Sequence, residues 1–389
     1  MTDPERERAG GPGNGERVAL LLSGAAARGP YQAGALAELL PALVAEDHRP
    51  VVLLGTSSGA VTAALLAQFA DQPPADAGQS VVDTWVGFGD VFRNPLTSPK
   101  PALPILARLL GGDLADRFVP PVQALLDTAP LRERAHTVFD PRRVAANIAA
   151  GSVETLAVAA TACPSGGSAA RSSLFVQGAQ PRRAVRGHAV DVVADAVTVD
   201  HVLASAAIPI LFPPVRIPGR PGWFIDGGVR LNTPFDAALA MGVDRIVVIS
   251  GHSVVPPAAP PPQADTPPDL AAAAAISLRA VLTDALSDDL ESLRRKNRRA
   301  AGGAGYQQVR HLVVAPEDGE LARLAAGTFG PCGPSDPYWA IGRLLDSLGS
   351  GTGRDELLSL IFFDPAYAQQ QVDLGRRHAR AALGAGWQT

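Results

Sequence analysis

The run VVLLGTSSGAVTAALL, Val51 to Leu66, holds the decision about the fold. Val51 to Leu54 are apolar without alternation, the pattern of a strand buried on both faces. Gly55-Thr56-Ser57-Ser58-Gly59 then turns the chain, and the small-residue run after it reads as a helix. A serine at the centre of a G-x-S-x-G turn between strand and helix is lifted clear of the sheet, with flanking glycines removing steric conflict. In this register the central residue is Ser57. The helix amino terminus behind it places positive potential beside any negative charge that develops there. An ordinary βα turn has the same local features, so the stretch alone leaves both readings open.

Upstream, VALLLSG from Val18 reads as another buried strand, followed by a turn of tiny residues and the helical pattern PYQAGALAELLPAL. Strand-helix-strand-helix with continuous apolar strands predicts an α/β fold with a mainly parallel sheet covered on both faces. Further strands are expected at residues 155–161, 173–177, 223–225, 245–250 and in HLVVAP, with helices at HVLASAA, PFDAALAMG and from Leu270 to about Ala300. DPYWAIGRLLDSLG and RDELLSLIFF extend the helical pattern towards the carboxyl end. Residues 85–110 mix aromatics, prolines and leucines without a period and read as a cap over a cleft or as irregular structure. The expected organisation is a disordered tail over 1–17, a catalytic domain over 18–252, a Pro-rich linker or mobile loop over 253–269, and a mainly helical part over 270–389 that packs on the catalytic domain.

Composition narrows the function. Of 389 residues, 47% are hydrophobic and 19% charged, which describes a chain able to bury a large core. A net charge of −4 gives no basic excess to neutralise phosphates, so nucleic acid is not an expected partner. The two cysteines, Cys163 and Cys332, are far apart and suit a reducing compartment. The polar first residues lack the apolar core of a signal peptide, and no run of eighteen uncharged apolar residues occurs. A cytoplasmic protein with no membrane span is expected. The seven histidines show no metal-ligand spacing, so neither a metal nor another cofactor is expected.

Two other stretches carry chemistry. SGAAARGPYQAGAL, Ser23 to Leu36, exposes successive backbone N–H groups at a helix start, a nest for an oxyanion or a phosphate. Pro30 and Tyr31 stand where a P-loop needs Lys and Ser/Thr, and Ala26 occupies the second glycine position of the dinucleotide pattern, so neither nucleotide motif fits. Close packing of strand on helix would account for the same small residues. In WFIDGGVRLNTP, Trp223 to Pro234, Asp226 ends an apolar strand on the edge where α/β sheets bind ligands, although Asp-Gly is also a common turn dipeptide.

Together these stretches resemble the patatin-like phospholipase family, lipid acyl hydrolases with a serine-aspartate pair. LLSGAAARGPYQAGAL is similar to the family's G-G-G-x-[KR]-G segment, GTSSGA to its elbow, ASAAIPILFPPV (Ala204 to Val215) to its A-S-x-A-x-P-x-x-F-x-P segment, and IDGGVRLNTP to its D-G-[GA] motif with a downstream Asn-x-Pro. LLDTAPLRERA and FFDPAYAQQQVDLGRRHA look like features of its bacterial members. The resemblance implies a three-layer α/β/α fold with a helical C-terminal extension, Ser57 as nucleophile and Asp226 as general base. It implies an oxyanion hole in the backbone of Gly24, Ala25, Ala26, Ala27 and Arg28, helped by Ser58, with Gly29, Gly55, Gly59, Gly227 and Gly228 as motif glycines. The implied substrate is an acyl lipid or phospholipid, with peripheral membrane contact through residues 85–110 or Arg294–Arg299 set against an ordinary solvated surface.

Ala25 and Ala26 replace two glycines usual in the family, and alanine resists positive φ at a cost of about 1–2 kcal/mol per residue. That departure motivates a second reading, a non-catalytic lipid- or partner-binding protein. A third, a Ser-His-Asp esterase using His252, conflicts with the single strand that precedes the elbow strand.

Overall fold

The structure, a computed structural model, describes residues 16–89, 91–92, 123–164, 168–185, 190–254, 267–301, 308–331 and 333–389. The expected tail up to residue 15, most of the cap-like stretch 85–110, the middle of the Pro-rich stretch 253–269, His188 and Cys332 lie outside the described residues.

Strand β1 (Glu16–Leu22) lies between β2 (His48–Thr56) and β7 (Arg245–Ile249), parallel to both. β2 pairs in parallel with β3 (Thr155–Ala162), and β7 with β8 (Arg310–Val314). Beyond β3 the sheet turns over: β4 (Arg171–Gly178) is antiparallel to β3, and β5 (Val190–Ala194) is parallel to β4. The order is β5-β4-β3-β2-β1-β7-β8, with a short β6 (Phe224–Asp226) paired antiparallel to β3. The fold is therefore the expected mainly parallel sheet. β2 starts earlier than its apolar run because His48, Arg49 and Pro50 pair with Glu16, Arg17 and Val18. VDVVA, which lacks a buried-strand pattern, forms the β5 edge, where one neighbour and partial exposure suffice.

Successive residues of β1 feed opposite faces. Val18, Leu20 and Leu22 join one core layer with α1 (Gly29–Ala45), α2 (Ser58–Phe69) and α3 (Pro74–Val86). The same layer takes the C-terminal helices α9 (Glu320–Thr328), α10 (Pro337–Leu348), α11 (Gly351–Ile361) and α12 (Pro365–Ala385). Ala19 and Leu21 join the other layer, with Phe235 of α7 (Phe235–Ala240) and Leu286, Leu290 and Leu293 of α8 (Leu270–Ala301). Three shorter helices, α4 (Ala129–Val138), α5 (Pro141–Ala149) and α6 (Val199–Ser205), complete the described helices. By length and composition α8 could cross a membrane, with a mean hydropathy of 1.5 over eighteen residues. Leu286, Leu290 and Leu293 in its second half pack against the sheet, and Asn297 bonds both backbone groups of Val309, which ties that half to the start of β8, whereas Leu270, Ile276, Leu278 and Val281 are exposed.

α2 crosses β1 at backbone contact. A Cβ on Gly59 would stand 2.0 Å from the Leu22 carbonyl oxygen and 2.7 Å from that of Ser23. Neither is a flexible group. Gly59→Ala is accordingly expected to lower stability by about 3 kcal/mol, read from urea denaturation at constant m-value.

Candidate active site

β2 ends at Thr56, which is paired with Ala159 of β3. The chain leaves the sheet at Ser57, whose φ of 54° and ψ of −125° are unusual for a residue with a side chain. This conformation costs about 1–3 kcal/mol and turns the side chain out at the carboxyl end of the strand. The edge of β3 that β2 vacates is taken up by β6, with Asp226 paired to Ala160. Ser57 and Asp226, 169 positions apart, thereby become neighbours along one line of the sheet.

Ser57 Oγ donates to Asp226 Oδ2 at 2.5 Å, and both residues are buried. Asp226 Oδ1 accepts the Gly228 N–H at 2.7 Å. The Asp226 backbone is fixed as well: its N–H donates to Ala207 O at 2.9 Å and its carbonyl accepts from Thr161 Oγ1 at 2.9 Å. Burial pushes the Asp226 carboxyl up to about 6, against the opposing pull of the Ser57 hydroxyl and the Gly228 amide. A carboxylate of that basicity is still ionised at neutral pH and accepts a proton more readily than an ordinary one.

The expected oxyanion segment lies across from Ser57. A Cβ on Gly24 would stand 3.0 Å from Ser57 Cβ and 2.4 Å from Asn232 Oδ1. Ala25 has φ −152°, whereas Ala26 adopts φ 51° and so carries the positive angle that its Cβ disfavours. Ala26–Arg28 form one 3₁₀ turn, closed by the Arg28 N–H on Ala25 O at 3.0 Å. The Ala25 N–H is held by Ser58 Oγ at 3.0 Å, and the Gly24 N–H reaches Asn232 O at 3.4 Å. Ser58 thus acts on this loop through its side chain. None of Gly24, Gly29, Gly55, Gly59, Gly227 and Gly228 has positive φ; these glycines make room, and the backbone strain falls on Ser57 and Ala26.

Two further residues serve the site. Ser205, in the Ala204–Val215 segment, accepts the Ser57 N–H at 2.8 Å and donates to Ala159 O at 2.6 Å, pinning the elbow to β3. Asn232 donates to Leu282 O at 2.6 Å, holding α8 beside Gly228. Both stand in stretches singled out by resemblance, but a hydrogen bond spanning 148 positions leaves no local signal that would have assigned Ser205 its role. His252 lies elsewhere than the Ser-His-Asp reading needs. Its Nδ1 is 3.0 Å from Arg28 Nη1, and burial, followed by the charges of Arg28 and Arg279, holds it well below its ordinary value and neutral.

A cavity of about 250 Å³ is walled by Leu131, Leu203, Ala207, Phe212 and Val215 together with Asp127, Thr128 and Arg132; Ser57 and Asp226 are not among its lining residues, and Ala207, whose carbonyl takes the Asp226 N–H, links it to the site. A larger one of about 750 Å³ lies at the amino ends of the strands, among Arg17, Pro50, Glu154 and Asp244, away from Ser57.

A sheet of this order with a serine at its strand-helix elbow and an adjoining buried aspartate defines an α/β protein with a serine-aspartate pair at the carboxyl edge of its sheet. The family model described as patatin-like phospholipase matches residues 20–239, more than half of the chain, and the chain belongs to that family. Among solved structures it is similar to VipD from Legionella pneumophila, with 12% identity, a TM-score of 0.35, and coverage of 96% of this chain and 67% of that one. No curated protein matches the chain.

The raised acid has a consequence for stability. Because the folded value lies above the ordinary 3.8, Asp226 costs nothing well below pH 4; the penalty builds as pH rises from about 4 to about 6, where the unfolded chain has lost the proton that the folded one keeps, and is constant above that. Between pH 4 and pH 8 the stability of Asp226→Asn relative to wild type should therefore improve by about 3 kcal/mol, measured by denaturant titration at both pH values.

Proposed function

We propose that the protein hydrolyses carboxylic esters of acyl lipids, with Ser57 as nucleophile and Asp226 as general base. The observation that carries this reading is the buried 2.5 Å hydrogen bond from Ser57 Oγ to Asp226 Oδ2 at a strained strand-helix turn. In the proposed cycle, Ser57 Oγ attacks the acyl carbonyl carbon while its proton passes to Asp226. The carbonyl oxygen becomes an oxyanion facing backbone donors. Since the Gly24, Ala25 and Arg28 amides are already engaged, Ala26, Ala27 and Ser58 are the donors assigned to it. Collapse of the adduct breaks the ester C–O bond, and Asp226 returns the proton to the departing alcohol. Water, deprotonated by Asp226, then attacks the acyl-serine; the bond between Ser57 Oγ and the acyl carbon breaks, Asp226 returns the proton to Oγ, and the fatty acid leaves.

Several features support an acyl chain as the recognised part. The cavity that reaches Ala207 has Leu131, Leu203, Phe212 and Val215 in its wall beside Asp127, Thr128 and Arg132, and Ile210 and Val229, on the segments that flank the acid, present exposed apolar side chains. Of the two alanines that motivate the non-catalytic reading, only Ala26 has the positive φ that alanine disfavours, and its N–H is retained.

Ser57→Ala and Asp226→Asn should each lower hydrolysis of a short-chain p-nitrophenyl ester by at least about a thousandfold, in the range seen when a nucleophile or its base is removed. A fluorophosphonate should label wild type and leave Ser57→Ala unlabelled. For wild type, kcat/KM should fall as pH drops below about 6, because protonated Asp226 cannot accept the serine proton. Full activity in either variant, or a folded wild type that resists the probe, would overturn the reading.

A further inference from the structure

The turn that carries Ala26 and Ala27 is held from outside the region matched by the family model. Arg28 is almost wholly buried, and its guanidinium donates to Glu356 Oε1 at 2.6 Å and to Ser359 Oγ at 2.5 and 3.2 Å, both on α11. A fourth bond, to Gly251 O at 3.1 Å, ties it to the end of β7. One residue earlier, the Ala27 carbonyl accepts from Gln371 Nε2 of α12 at 3.1 Å, and Gln371 is fully buried. Three residues later, Tyr31 Oη meets His378 Nδ1 of α12 at 2.9 Å.

The position of α12 is itself closely defined. It packs on α1 backbone to backbone: a Cβ on Gly34 would meet the Val372 carbonyl at 2.2 Å, and one on Gly375 would meet the Tyr31 carbonyl at 2.1 Å. Two helices in contact through glycines cannot slide without opening a gap or colliding. Gln371 and His378 therefore reach α1 and the preceding turn at fixed heights.

We propose that α11 and α12 are the positioning element of the oxyanion turn, acting through Glu356 and Ser359 on Arg28 and through Gln371 on Ala27. This inference rests on the reading of Ser57 and Asp226 as catalytic. A strained alanine at φ 51° relaxes unless its surroundings hold it. The turn has one internal hydrogen bond, from the Arg28 N–H to Ala25 O. The guanidinium and the Ala27 carbonyl are the handles by which the C-terminal helices keep the Ala26 and Ala27 amides directed at the oxyanion. Glu356, Ser359 and Gln371 are positioning residues; the substrate meets only the backbone that they hold.

The experiment compares Glu356→Gln, Ser359→Ala and Gln371→Leu with wild type in the full chain. Glu356→Gln keeps an acceptor for Arg28 while removing its countercharge. Each variant is checked for folding by circular dichroism and assayed per folded molecule on a short-chain p-nitrophenyl ester. Affinity is then measured for a long-chain trifluoromethyl ketone, which forms a tetrahedral serine adduct, and for a non-hydrolysable ether analogue of the substrate. The expected result is a fall in kcat of about tenfold or more with KM within twofold, and an equal loss of ketone affinity. Ether binding and the acid limb near pH 6 should be unchanged. Backbone amide exchange at residues 25–29 should accelerate while that of α2 does not.

Unchanged kcat and ketone affinity, or a loss confined to KM, would overturn the inference, as would unaltered exchange at 25–29. Failure of wild type to form the ketone adduct would instead strike the Ser57–Asp226 reading. The exchange measurement still decides whether α11 and α12 hold the turn.

Discussion

Strand β3 has one edge facing β2, and two strands occupy it in succession. β2 pairs along its first part and departs at Thr56, and β6 arrives from the opposite direction to take Ala160–Ala162. Backbone groups on a buried sheet edge must be paired, so the departure of β2 creates a vacancy that the fold has to fill. Filling it with an antiparallel strand that ends in Asp226 delivers the carboxylate to the elbow without any long side chain reaching across. Ser205 secures the same junction from below by bridging the Ser57 amide to Ala159. The distance between the serine hydroxyl and the carboxylate follows from strand spacing.

That junction concentrates unfavourable local energy. Ser57 and Ala26 both hold positive φ, and Asp226 carries a charge at neutral pH inside the protein. Each would relax in isolation. They persist because the surroundings are close-packed and hydrogen-bonded: Gly59 on the Leu22 carbonyl, Ser58 on the Ala25 amide, Gly228 on the carboxylate, and Arg28 on the C-terminal helices. Strain held in this way suits a site whose donors must already face the charge that a reaction will create.

Much of this was legible in the sequence, for a physical reason. A strand buried on both faces is a continuous apolar run, and a backbone crossing shows as a glycine, so β1, β2, β7 and the Gly55–Gly59 turn announce themselves locally. Less legible was whatever depends on pairing at long range. β6 is three residues long and its role comes entirely from the edge of β3; the reversal of β4 and the polar β5 edge likewise follow from neighbours. Ser205, Asn232 and Gln371 are ordinary polar residues until a partner tens or hundreds of positions away is brought to them. Ala26 shows the limit from the other side: two adjacent alanines stand where positive φ is in question, and the folded backbone places it at one of them.

The bond between Gln371 and Ala27 joins positions 344 apart in the chain. At a translation rate of 5–20 residues per second, roughly 17–70 s separate the synthesis of one partner from that of the other. During that interval Ser57 and Asp226 can already have been made, while the helices that steady the turn opposite them have not. A ribosome-bound chain would therefore carry Ser57 and Asp226 before the helices that hold the turn opposite them, so the order of synthesis itself leaves that turn unsupported until α12 has emerged and docked.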